Sequence, residues 1–575
     1  MNSNRLLSTV LFTIAFIGAT LSLLLINQPT QSAPPAHGGD IPLDLKEPSD
    51  FPTIIYIDPS SATPGDGSSP SSPLASWNGA NLQTNTAYVQ KRGTTDNITG
   101  GIIVPDDVLL GAYGTETDPR PIIYDVSTDI TYMIQVAGDR VTVRDLEIVS
   151  PQATSGIHFA AGYWPEDGVA WNNSVHGVDA SHYLMWGIRV FGTNTKVMHN
   201  EIYYIGDDGI FAQYMPNIEI GYNNVNRVNQ KWFEDENESH SSGDGIQFSN
   251  NTGFYIHHNT VDRTDTGNKF CIIVQPNVDG SFGLVENNVC RTSDKVTGLY
   301  AAYGTYELIV RNNIFEYPGN DRKSIGVYSH CTEPRIYNNV FIGHSQAINL
   351  WQTSAEAQIH HNTFYNIGWA AVRGRVAQST AYNNIFALDD GGIAITYDNG
   401  PTETMSHNLF TRENQVQGTN AIVGDPLFVN AAQDNFHLQA ISPAIDTGTN
   451  AGIAQDADGN SRVGEPDMGA HEFIPALRLY ASPGNEAAHI TWTVDTILPI
   501  TSTWRISYDS DSLPNPIVET DSLISSARSY TLTGLSNYEV HTITLEALVD
   551  SSVVLSDTGA VMPTDKFVYL PIIVK

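Results

Sequence analysis

Six charged residues in the middle of the chain have the types and spacing to do chemistry together. GDDG at 206–209 and GDG at 243–245 place Asp207, Asp208 and Asp244 just ahead of two short runs, IFAQ and IQFS. Aligned on the glycine before each run, Asp208 and Asp244 share one column. The next three segments bring Lys269, Lys295 and Lys323 to nearly the same place. If the runs are neighbouring strands, the two carboxylates stand about 5 Å apart. Carboxylates that close repel, so one keeps its proton or a cation sits between them. Hard oxygen ligands suit Ca²⁺, and Asp207, Asp208 and Asp244 are the candidate ligands. A cation beside a lysine suits β-elimination on a uronic-acid polymer. The cation neutralises the sugar carboxylate and acidifies the adjacent C–H, and the lysine takes that proton. Lys269, with Asp244 beside it, is the candidate catalytic pair. An Asp-Gly before a strand is equally an ordinary turn, and a lysine on a turn equally a solvated one.

Aromatic residues near these motifs could stack on sugar rings. The segment NQKWFEDENESHSS (229–242) is an insertion between the two aspartate motifs, and insertions project from one face of a repeat structure. Trp232, Tyr214 and Tyr303 are the candidate stacking residues, joined by Phe233 and Tyr300. Lys295 and Lys323 would meet an anionic chain. Packing of the loop is the competing role for the aromatics. His257, His258, His360 and His361 read as turn residues, and Arg373 and Arg375 lie four repeats from the acidic cluster.

The elements that must position these residues follow from a repeat. VMHNEI, IGYNNV, IHHNTV, VENNV, VRNNIF, IYNNVF, IHHNTF, AYNNIF and SHNLF share one pattern. Its second polar position falls at Asn200, Asn224, Asn259, Asn288, Asn313, Asn339, Asn362, Asn384 and Asn408. Self-similarity with a period in the twenties means a solenoid. Its runs are short and rich in Ile, Val, Phe and Tyr, which makes strands. An asparagine fixed in every coil can bond to the one above, giving a ladder along the axis. The reading is an all-β chain, a right-handed parallel β-helix with a long groove on one face.

IIYIDPSSATPGDGSSPSSPLASW resembles the entry motif of secreted β-helix proteins. GDPLFVNAAQDNFHLQAISPAIDTG with DADGNSRVGEPDMGAHEF resembles their closing segment. The solenoid is therefore placed at 51–474, with closing segment 424–473. Asp456, Asp458 and Asn460 carry only part of a calcium-loop spacing and are read as structure of the cap. Residues 476–564 hold alternating strands, with Trp492 early and Tyr538 after TLTGL. They resemble a fibronectin type III β-sandwich. At the N-terminus, 1–33 resembles a signal peptide or uncleaved anchor, and 34–50 is a Pro- and Gly-rich linker. The apolar tail 566–575 is left open.

The chain has 575 residues and a formal charge of −34, a surface that repels nucleic acid and anionic lipid. Cys271, Cys290 and Cys331 define neither a disulfide framework nor a metal site. The whole resembles the pectate-lyase-like superfamily of secreted bacterial proteins, which contains lyases, hydrolases, epimerases and non-catalytic surface proteins. That resemblance implies a secreted or cell-surface monomer whose partner is a polysaccharide, with a calcium-assisted lyase acting on a uronate-containing glycan as the first expectation. A non-catalytic adhesin or glycan-binding protein is the alternative. A polygalacturonase-like hydrolase is the third, but the single-Asp motif follows the double one here, and no Gly-His-Gly or Arg-Ile-Lys is present.

Overall fold

A computed structural model describes residues 45–565, except 161, 231–242, 250–252, 265–268, 276–281, 295, 305–306, 320–322, 332, 352–355, 375–378, 399–403, 495–497, 499–500 and 550. Residues 1–44 and 566–575, the expected leader and tail, lie outside the described residues. Among the described residues no helix is long and apolar enough to cross a membrane.

The chain winds into a right-handed parallel β-helix. Three parallel sheets run its length, with 14, 14 and 12 strands among the described residues. One coil shows the route. Lys196–Met198 lies in the first sheet, Glu201–Tyr203 in the second and Ile210–Gln213 in the third, before the chain returns to the first sheet at Ile218–Gly221. Each strand pairs with its counterpart one coil on, as Ile210 does with Ile246. Inward residues are apolar and close-packed, as a sheet buried on one face requires. In the second sheet Phe315, Phe341, Phe364, Phe386 and Phe410 stack at 5.0–5.3 Å between ring centroids. Cys271, Cys290 and Cys331 are buried, unbridged thiols.

The asparagine ladder occupies the turn between first and second sheets. Asn313 Oδ1 accepts the backbone N–H of Asn288 at 2.9 Å and its Nδ2 at 3.0 Å. Asn313 in turn donates to Asn339 Oδ1, to Val285 O and to Arg311 O. The ladder passes through Asn223, not Asn224. Asn200 donates to Asn223 Oδ1, and Asn223 to Asn259 Oδ1. The residue before each ladder asparagine is left-handed, and here that residue is Tyr222, with φ 56°. The doublet is therefore entered one position early, and Asn224 opens the next strand, exposed. The ladder also begins one coil sooner, at Asn173, whose Oδ1 accepts the N–H of Leu146.

Beyond the solenoid, seven antiparallel strands among the described residues form two sheets. Leu477–Gly484, Ala487–Val494 and Ser529–Thr533 make one. Ile517–Ile524, Thr503–Ser510, His541–Val549 and Ser552–Val561 make the other. Both contribute to one core around Trp492 and Trp504, whose rings meet edge-on at 5.4 Å. Tyr538 is 54% exposed, with its hydroxyl on Asp565.

Candidate functional site

The two aspartate motifs fall where the chain enters the third sheet. Because Ile210 pairs with Ile246, Asp208 and Asp244 stand in register on adjacent coils. Their side chains point into the wall. Asp208 is 2% exposed and Asp244 3%. Asp208 Oδ1 accepts the N–H of Asp244 at 2.7 Å, and Asp244 Oδ1 accepts the N–H of Phe270 at 3.0 Å. Each carboxyl thus clasps the next coil. Burial is the largest influence on both. It drives Asp208 well above the usual carboxylate range, aided by the charges of Asp207 and Asp244. It raises Asp244 to about 7, against the pull of the Arg263 and Lys269 cations. Arg263 is fully buried and donates to Phe270 O at 2.8 Å and to Gly243 O at 3.0 Å. Asp207 sits less deeply at the same turn.

Lys269 is brought to this cluster, immediately before Phe270. Its φ of 85° is costly for a side chain of that size. Lys295 lies outside the described residues. Lys323 is exposed, 3.1 Å from Asp294, one position out of line with Lys269: Lys269 pairs with Val296, whereas Thr297 pairs with Ile325. Tyr214 is 52% exposed at a left-handed turn. Trp232 and the rest of 231–242, and the Tyr303 side chain, fall outside the described residues.

A feature not read from the sequence runs past this cluster along the outer face of the third sheet. The register joins Gln135, His158, Arg189, Phe211, Gln247, Ile273, Tyr300, Tyr328, Asn349, Arg373 and Thr396 into one unbroken row. Its members are spaced about 4.8 Å apart. Two aromatic clusters punctuate it. In the first, the Arg189 guanidinium lies 4.3 Å from the Trp186 ring centroid and 5.5 Å from that of Phe211, and Tyr132 stacks on His158 at 4.2 Å. Among the described residues Arg189 Nε has no hydrogen-bond partner. Burial beside Arg189 holds His158 down at about 4, so the ring is neutral at pH 7. In the second cluster Tyr300 stacks on Phe270 at 4.7 Å and meets Tyr328 at 5.4 Å, with Trp351 beyond at 6.1 Å. Gln247, Ser249 and Gln275 form a hydrogen-bonded bridge between the clusters. The signal for this row was alternation in the third strand of every coil, with apolar Ile188, Ile210, Ile246 and Ile272 turned inward. Phe270 links row and acid cluster, since its N–H is held by Asp244 and its ring by Tyr300. A separate polar cleft of about 400 Å³, lined by Glu286, Arg311 and Arg335, lies against residues 452–456 and contains none of these groups.

The family described as right handed beta helix region matches residues 186–364. No curated protein sequence matches the chain. Several solved structures resemble it in fold. The tailspike protein of E. coli bacteriophage HK620, in complex with a pentasaccharide, is 13% identical. The match covers 82% of this chain and 85% of that one, with a TM-score of 0.35. A tailspike from an Acinetobacter baumannii bacteriophage, a capsular polysaccharide depolymerase, is 10% identical over 82% and 73%, with a TM-score of 0.25. The catalytic unit of an alpha-1,3-glucanase from Streptomyces thermodiastaticus is 13% identical over 64% and 69%, with a TM-score of 0.28.

Proposed function

We propose that this protein binds an extended polysaccharide along the outer face of the third sheet and cleaves it beside Asp207, Asp244 and Lys269. The observation that carries the reading is the row itself. Rings, amides and two arginines fill nine of its eleven positions, all but Ile273 and Thr396, at a spacing an extended sugar chain can follow. Aromatic faces take the apolar faces of sugars, and amides take hydroxyls. Arg189 supplies local positive charge on a strongly acidic protein, which favours a uronate-containing chain, while Arg373 is bridged to Asp398 at 3.4 Å.

The chemistry is elimination, with Lys269 as base. Its strained backbone and its place beside the carboxyl pair support that role. Asp207, Asp208 and Asp244 would hold Ca²⁺, and an ion there must displace the protons that burial retains on the inner two. Its affinity therefore rises with pH. The site of action is outside the cell, and the C-terminal sandwich is a fibronectin type III-like spacer.

Incubation with polygalacturonate or alginate, with and without chelator, tests the reading through the ultraviolet absorbance of the unsaturated product. Absorbance that grows with the wild type and vanishes with Lys269→Ala is the expected result. Binding without cleavage makes the protein an adhesin or glycan-binding module. New reducing ends without that absorbance make it a hydrolase.

A further inference from the structure

We propose that His437, Asp458 and His471 form a divalent-metal site, best matched to zinc, that pins the closing segment of the solenoid. The three come from separate stretches: His437 from Asn435–Leu438, Asp458 from the turn after Asp456, and His471 from the GAHEF stretch. One ligand atom from each lies within 4.8 Å of the other two. His437 Nε2 is 2.8 Å and His471 Nδ1 2.9 Å from the same oxygen, Asp458 Oδ2. The imidazoles stack at 4.1 Å.

The decisive detail is the tautomer of His437. Asn435 Oδ1 accepts the backbone N–H of His437 at 3.2 Å, which fixes that atom as oxygen. The same oxygen lies 2.8 Å from His437 Nδ1, so Nδ1 carries the hydrogen. In a neutral ring Nε2 then presents a lone pair straight at a carboxylate oxygen. Two acceptors at 2.8 Å need a cation between them, either a proton or a metal. A proton solution makes the ring an imidazolium stacked on a second histidine that faces the same oxygen. A metal satisfies all three groups with neutral rings. The bond from Nδ1–H to Asn435 is also the arrangement that orients a metal-bound imidazole.

The frame is rigid. Asp456, 1% exposed, accepts the N–H groups of Asp458, Asn460 and Glu472. The buried Arg462–Glu472 pair, at 3.0 Å, fixes the segment that carries His471. Two imidazoles and one carboxylate suit zinc more than calcium. The partly exposed Asp458 leaves room for water to complete the coordination.

The test uses the full chain, stripped with chelator and then titrated with zinc chloride by calorimetry and thermal melting. One ion should bind per chain and raise the melting temperature by mass action. His437→Ala with His471→Ala should abolish both effects. Asn435→Ala leaves the three ligands in place and should weaken binding roughly 10–100-fold. Absence of a heat of binding together with an unchanged melting temperature overturns the site and leaves the proton solution. Zinc binding that persists unchanged in the double variant also overturns it. Should the double variant fail to fold, the Asn435→Ala affinity decides, with unchanged affinity contradicting the proposal.

Discussion

Asp208 accepts the backbone N–H of Asp244 at 2.7 Å, carboxyl to main chain across adjacent coils. The same bond recurs one coil further, from Phe270 to Asp244. The two aspartates therefore serve the wall of the solenoid before they serve any ion, and their proton affinity is set by that burial.

A pH dependence follows. Asp244 is raised in the folded state to about 7, whereas the unfolded chain carries an ordinary carboxyl near 3.9. Between those values the folded state holds more protons than the unfolded one. Stability from this group is thus present at low pH and is lost as pH rises through about 7. Asp244→Asn keeps the oxygen that takes the Phe270 N–H and cannot ionise. It should flatten the fall in melting temperature between about pH 4 and 7. A variant with an unchanged slope would show that Asp244 is ionised in the fold.

The ladder predicts a stability cost. Asn313→Ala removes the acceptor for Asn288 N–H and Nδ2 in a fully enclosed turn. Chemical denaturation should show a loss of about 1–3 kcal/mol. Asn224→Ala, one position off the ladder and exposed, should cost little.

The row predicts separable binding. Tyr300→Ala and Tyr328→Ala each remove one ring from the second cluster without touching the inward core. Each should weaken glycan binding several-fold, corresponding to about 1 kcal/mol. Circular dichroism should be unchanged.

The C-terminal module has a core of its own around Trp492, Trp504, Ile543 and Leu545. A fragment spanning 476–565 should fold alone and melt cooperatively. A broad, non-cooperative melt would contradict that independence.

The fold was legible because the asparagine turn recurs with the same chemistry in successive coils from Asn173 to Asn408. The one slip, Asn224 for Asn223, arose because a doublet reads the same in both registers until Tyr222 is seen in the left-handed conformation. The acidic column was legible as well, since Asp-Gly precedes both strands. Its burial was not, because sequence spacing fixes the coil but not whether a turn side chain points inward. The row stayed hidden for a related reason. Its members stand in the third strand of each coil, separated by connections of unequal length, so Arg189, Phe211 and Tyr328 share no fixed offset from the asparagine turn.

The most direct test of glycan binding along the third sheet is calorimetric titration with uronate oligosaccharides of increasing length. Affinity should climb with each added sugar over several residues, and Arg189→Ala with Tyr300→Ala should remove the length dependence. Affinity that is flat with length, or a length dependence that the double variant retains, would contradict the account.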